Sequence, residues 1–443
     1  MSLQFITGNS GNGKTKYLFN RIVKEAKANP RDNYLVIVPE QFTMQTQRQL
    51  VDLSENKAIM NIDVLSFKRL AYRVFDELGI TNLTVLEETG KNLVLRKLAA
   101  QEADKLGVIG RNLNRIGYIS EVKSLLSELV QYNISPEELG RYIASGRLSD
   151  TLSDKLKDVL VLYEAFEKFM QDKYITAEEI LNVLSNVAEE SAILRNSVIA
   201  FDEFTGFTPI QNQLIKKLFV ISKKIYVTLT IDCREDIFKS RGMQELFDMP
   251  KRTVKSLTEM AAFYGIEVEE PIILDKNYRL AENEELSFME QQLFRKRRCS
   301  FKKAPKHIHI DCLRDPKQEL TKIARRINEL VRNENLRYRD IAIVTGDVNI
   351  YAGYVREIFD KYNIPYFIDA TQEILFHPFI EFIRSIPDIA AQNFSADAVF
   401  RFLRCGFSEL LDSEIDVLEN YVLACGVRGK REREKKWVRL PKH

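Results

Sequence analysis

Eight residues near the amino terminus, Gly8-Asn9-Ser10-Gly11-Asn12-Gly13-Lys14-Thr15, constrain this chain more than any others. They match G-x-x-x-x-G-K-[ST] at every fixed position, directly after the apolar run Leu3–Thr7 and directly before a helical pattern over Lys14–Lys27. The reading is therefore strand, phosphate-binding loop (P-loop), helix. Gly8, Gly11 and Gly13 let backbone N–H groups turn inward as an anion nest, and the helix adds the positive end of its dipole. Lys14 would bring a charge to the β- and γ-phosphates of a nucleotide, and Thr15 a hydroxyl to Mg²⁺, with Asn9, Ser10 and Asn12 completing the turn. A chance glycine turn would not require the strand before it or the helix after it.

A triphosphate site also needs a carboxylate at the end of a neighbouring strand. Val198-Ile199-Ala200-Phe201-Asp202-Glu203 supplies four apolar residues and then two acids. Asp202 is expected to hold the metal and Glu203 to orient a water, the alternative being a strand that ends in acids at a solvent-exposed edge. Asn277-Tyr278-Arg279 follows the apolar run Ile272–Leu274, from which Arg279 could meet charge developing on a γ-phosphate. Val38-Pro39-Glu40-Gln41-Phe42 follows the second strand, Tyr34–Val38, where the loop carrying Gln41 would face the nucleotide or a bound strand of nucleic acid.

The rest of the pattern organises these motifs. Apolar runs at Tyr34–Val38, Ile59–Leu65, Val198–Phe201 and Ile225–Leu229 read as buried parallel strands, because they barely alternate. Between residues 85 and 190 the spacing turns helical, as in Leu152, Leu156, Val159, Leu160, Tyr163, Phe166 and Met170, and no strand is expected there. Ser135-Pro136-Glu137 reads as a helix start and Thr176-Ala177-Glu178-Glu179 as a capping box. His307–Ile310, Ile341–Val344 and Pro365–Ile368 are expected to be strands of a second α/β unit, with helices at about 316–332 and 349–361 between them. After residue 377 the pattern is helical again.

Composition narrows the class. A chain of 443 residues with 45% hydrophobic and 29% charged residues belongs with multidomain globular proteins, not with disordered or coiled-coil chains. No window approaches the roughly 18 apolar residues of a membrane span, and no signal-peptide pattern opens the chain. Five scattered cysteines fit a reducing cytoplasm and are expected to be small buried hydrophobes. A net charge of +2 leaves only local basic clusters, at Arg295–Arg298, Lys302-Lys303 and Arg428–Arg431, to attract nucleic acid. Charge runs are ordinarily solvated faces and decide nothing alone.

Taken in order, these residues resemble a superfamily 1 helicase core. More narrowly, Gly8–Thr15, Val36–Phe42, Val64–Leu70, Phe201–Phe207 and Leu418–Leu423 resemble the amino-terminal part of the AddB family, whose members are components of bacterial AddAB helicase–nucleases. The resemblance implies an α/β P-loop NTPase with a RecA-like parallel sheet. The first RecA-like domain would span 1–84 and 191–279, interrupted by an all-helical insertion at 85–190. A second such domain would begin at 280–376, and a further helical insertion would begin at 377–443. It also implies ATP and Mg²⁺ as ligands, an AddA-like partner, single-stranded DNA as substrate, and work in recombinational repair of double-strand breaks, including scanning for Chi. Phe42, Phe67 and Lys68 follow strand ends and are the candidate DNA contacts, the alternatives being core packing for the two rings and a solvated lysine for Lys68.

The family's nuclease domain and four-cysteine iron–sulfur cluster are not expected within these 443 residues, which read as part of a longer protein. The segment Leu229–Cys233 has the acid of the third helicase motif without its glutamine. An autonomous translocating helicase, a small-molecule P-loop kinase and a structural module with a relic nucleotide site are the competing readings.

Overall fold

The computed structural model describes residues 1–81, 84–108, 117–145, 148–170, 174–295, 299–369, 374–430 and 436. It divides into two compact units, Met1–His309 and Ile310–His443. The first is built on a wholly parallel sheet of β1 (Ser2–Gly8), β2 (Tyr34–Ile37), β3 (Ile62–Leu65), β6 (Val198–Phe201), β7 (Lys224–Thr230), β8 (Glu267–Val268) and β9 (Ile272–Leu274). The order is β3-β2-β6-β7-β1-β8, and β9 also lies along β1, with Gly8 opposite Leu274.

Non-alternating apolar runs are what a sheet covered on both faces requires. Leu35, Ile37, Ile199, Phe201, Ile225, Val227 and Leu229 enter one core, while Tyr34, Val36, Val198, Ala200 and Tyr226 enter the other. The second core is closed by α1 (Lys14–Ala28), through Leu18, Phe19, Ile22 and Ala26, and by Leu50 of α2 (Thr43–Leu53). The first is closed by α3 (Phe67–Leu78), α8 (Ile180–Val187), α9 (Pro209–Ile221) and α10 (Asp248–Phe263). Each such fully buried side chain contributes roughly 1.5–3 kcal/mol of transfer free energy.

The insertion has its own core. In it α4 (Glu88–Gln101), α5 (Tyr118–Gln131), α6 (Pro136–Ala144) and α7 (Asp150–Met170) bury Leu95, Leu98, Val122, Leu126, Leu139, Leu162 and Phe166 together. Ser135 caps α6 by accepting from the Glu138 N–H, and Thr176 and Glu179 exchange the two hydrogen bonds of a capping box. The expectation of an all-helical insertion needs one correction. Its entry and exit are tied by a short parallel pair, β4 (Val85–Leu86) and β5 (Ile175–Thr176), too brief to leave a periodic signal.

Lys91 of α4, with a side chain only 3% exposed, pairs with Glu178 at 2.7 Å and Glu88 at 2.9 Å near that junction. α11 (Glu284–Gln292) lies later in the same unit.

In the second unit, α12 (Pro316–Asn333) and α13 (Val348–Lys361) pack through Leu320, Ala324, Ile327, Ile358 and Phe359. α14 (Pro378–Ala391), α15 (Ala396–Leu403) and α16 (Asp412–Cys425) follow. The strands expected at Ile341–Val344 and Pro365–Ile368 do not form, and neither does His307–Ile310. A run of apolar residues marks a segment suited to burial, but a strand also needs a neighbour's hydrogen bonds. None is in place among the described residues, and Val344 and Phe367 are 93% and 87% exposed. At His307 the backbone N–H is instead taken by the Glu285 carboxylate, at 2.8 Å.

Two smaller expectations also change. Cys299 and Cys312 are exposed and the other three cysteines half-buried. Arg295 is no solvated charge but pairs with Asp232, while residues 296–298 and 431 of the basic clusters lie outside the described residues.

Candidate functional site

β1 ends at Gly8 because the next residues cannot continue the ladder, and α1 begins at Lys14 after a left-handed cap at Gly13, φ 79°. Between them the chain turns tightly. At Gly11, φ is 87°, and a β-carbon there would lie 2.8 Å from both Arg279 Cβ and Asn277 Oδ1, so only glycine fits. Lys14 folds over the turn, donating to the carbonyls of Gly8 and Asn9 at 3.0 Å each. Burial lowers the Lys14 pKa, an effect opposed by the nearby Glu203 and Asp202 carboxylates.

The parallel order carries the acids to the same edge, since β6 and β1 flank β7. Thr15 Oγ1 lies 3.3 Å from Asp202 Oδ1 and 3.3 Å from Glu203 Oε1. Asp202 is 1% exposed; its Oδ1 accepts from the Thr228 hydroxyl, and its Oδ2 is buried without a partner. Burial raises its pKa, against the Thr228 hydrogen bond. Glu203 adopts φ 64°, a left-handed conformation unusual for a residue with a β-carbon.

From the other side, Asn277 Nδ2 donates to Ser10 O at 2.9 Å, and the Tyr278 N–H donates to Gly11 O at 3.0 Å. Arg279 Nη1 reaches Ser10 Oγ at 3.4 Å. These groups enclose a cavity of about 730 Å³, lined by Ser10, Lys14, Thr15, Asp202, Glu203 and Arg279 among others.

The residues expected from the sequence fall into three groups. Gly8, Ser10, Gly11, Gly13, Lys14, Thr15, Asp202, Glu203 and Arg279 are brought together around the turn and its cavity. Asn9 and Asn12 belong to the turn but face the protein. Asn9 Oδ1 accepts from the Cys233 N–H at 2.9 Å and its Nδ2 donates to Glu290 at 2.7 Å, while Asn12 Nδ2 donates to Leu274 O at 2.6 Å. Gln41 is exposed, outside the cavity's lining.

Phe42 packs partly against the core beneath α1. Phe67 is core as well: its ring stacks on Phe201 at 5.8 Å and meets Phe204 and Phe207 edge-on, leaving no face for a base. Lys68 is exposed on α3.

Sequence reasoning missed Thr228 and Tyr278. The threonine lay inside an apolar run read only as a strand, and the tyrosine was passed over beside its arginine. Tyr278 is 65% exposed, and its ring stands where a β-carbon on Gly13 would touch it at 3.5 Å.

The profile of the AddB amino-terminal family matches residues 5–290, which include every residue of this constellation. The chain belongs to the AddB family. Three similar AddB-family proteins are named as subunits of an ATP-dependent helicase/deoxyribonuclease. That of Lachnoclostridium phytofermentans is 39% identical over 99% of this chain, that of Clostridium tetani 34% over 98%, and that of Clostridioides difficile 33% over 99%. The chain spans 38–39% of the length of these relatives. Among the described residues, no helix is long and apolar enough to cross a membrane, and no group of three or more metal-ligating side chains occurs.

Proposed function

We propose that this chain is the ATP- and DNA-binding, RecA-like portion of an AddB protein, working with an AddA-like partner to process DNA double-strand breaks for recombinational repair. The observation that carries this reading is the approach of Thr15 to both Asp202 and Glu203, beside Lys14, within one cavity. Membership of the AddB family supports the partner and the DNA role.

The donor set suits a magnesium nucleotide. Asp202 Oδ2 is a buried carboxylate oxygen with no hydrogen-bond donor, a costly arrangement that a cation or its water would satisfy. Thr15 and Asp202 would hold the ion, and when bound it would neutralise charge on the β- and γ-phosphates. The turn's N–H groups and Lys14 bind the phosphates, which requires Lys14 to leave the carbonyls of Gly8 and Asn9. Glu203 would orient a water, and Arg279, placed beside Ser10, would offer its charge to the γ-phosphate. Tyr278 offers an exposed ring for a base to stack on.

The test is Lys14→Ala, followed by calorimetric titration with ATP and Mg²⁺. Tight binding is expected to disappear while the circular dichroism spectrum and melting temperature stay near wild type. Equal affinity in the two proteins would refute the nucleotide site.

A further inference from the structure

β7 lies directly beside β6, with Val227 opposite Phe201 in the parallel register. The next residue on each strand is therefore Thr228 and Asp202. Side chains alternate along β7, so Ile225, Val227 and Leu229 point into one core, while Tyr226, Thr228 and Thr230 share the other face. That face runs toward α1, and at its carboxyl end Thr228 and Thr230 line the cavity. A hydroxyl stands at 228 where valine would fill the same volume.

Thr228 is 3% exposed, and its hydroxyl donates to Asp202 Oδ1. Thr15 approaches that same oxygen at 3.3 Å, so Oδ1 is the oxygen addressed by protein. Oδ2 is fully buried and has no donor. A carboxylate whose Oδ1 is held by a buried hydroxyl is fixed in rotamer beside Thr15. β-Branching restricts the threonine's own χ1, so the donor that holds Asp202 is itself stiff.

We infer that Thr228 is a positioning residue for a divalent cation: its hydrogen bond to Asp202 Oδ1 fixes the rotamer of the carboxylate that would hold the ion or the ion's water. This rests on the magnesium-nucleotide reading above and adds a residue to it. Partners that orient a metal-binding carboxylate ordinarily change cation affinity about ten- to a hundredfold when removed.

The experiment compares wild type, Thr228→Val and Thr228→Ser in the full chain. A fluorescent ATP analogue is titrated once in excess Mg²⁺ and once in EDTA, and the ratio of the two affinities is read. Thr228→Val is expected to lose at least about tenfold of the Mg²⁺-dependent gain, with its EDTA affinity unchanged. Thr228→Ser, which keeps the hydroxyl, is expected to restore the wild-type ratio. A wild-type ratio in Thr228→Val overturns the inference while leaving the nucleotide site standing. Equal losses in Mg²⁺ and EDTA also overturn it, because they assign the threonine to packing alone. Wild type that binds the analogue in neither condition removes the nucleotide site, and the inference with it. Should Thr228→Val fail to fold, Thr228→Ala read by the same ratio decides.

Discussion

Glu203 combines the proposed water-orienting role with a backbone cost, and the two can be separated by substitution. Its φ of 64° lies in the left-handed region, where a β-carbon crowds the following carbonyl at a cost of about 1–2 kcal/mol. The side chain returns little, since its hydrogen bond from Thr15 is 3.3 Å long and exposed. Glu203→Ala removes the carboxylate and keeps the β-carbon, so the strain stays. Glu203→Gly removes both, but its unfolded chain gains freedom worth roughly 0.5–1 kcal/mol against folding.

At the midpoints of these ranges the glycine variant is more stable than the alanine variant by about 0.7 kcal/mol. At an ordinary helical position that order is reversed. Thermal unfolding followed by circular dichroism should place the Tm of Glu203→Gly about 1–2 °C above that of Glu203→Ala, a small shift because the unit is large. Both variants should lose nucleotide hydrolysis wherever wild type shows it, and both should keep Mg²⁺-dependent nucleotide binding, since Lys14, Thr15 and Asp202 are untouched. An alanine variant as stable as the glycine variant would refute the claim that strain is stored at this residue.

Two further expectations concern buried charge. Asp232, 1% exposed, meets Arg234 at 2.6 Å and Arg295 at 2.9 Å, and Arg295 lies over the Phe247 ring with Nε and Nη1 lacking partners. Asp232→Asn should cost about 3 kcal/mol, measured by urea unfolding, because it strands the Arg295 guanidinium. Burial is the largest influence and pushes the Asp232 carboxyl up, but the side-chain and backbone hydrogen bonds from Arg234, with the charges of Arg234 and Arg295, together outweigh it and hold the group at about 2, below the ordinary 3.8. With the folded pKa below the unfolded one, this stabilisation is present above pH 3.8. It is lost as pH falls toward about 2, a dependence that Asp232→Asn should flatten.

Lys91→Met should likewise destabilise by about 3 kcal/mol, since Glu178 would be left buried and unpaired. Adding Glu178→Gln should recover part of that loss, and strict additivity of the two changes would argue against the pair.

The sequence by itself determined the strand–turn–helix around Gly8–Thr15, the sheet's buried runs, and a strand that ends in Asp202 and Glu203. Those features are local: they are written in residue spacing, in glycine where φ is positive, and in apolar runs bounded by polar ends. The family likewise followed from short motifs.

What neighbours decide was not legible. Phe67, after a strand end, could be read either as a DNA contact or as packing, and its place among Phe201, Phe204 and Phe207 decides for packing. Asn9 reads only as part of the turn, yet its side-chain amide joins Cys233 and Glu290 across more than two hundred residues of chain. Thr228 gains its role only because β7 runs beside β6 in a register that sets it next to Asp202. Apolar runs at 341–344 and 365–368 could not announce whether a neighbouring strand would be present to pair with them. Pairing, burial and charge compensation depend on contacts between distant segments, and those exist only once the chain has closed on itself.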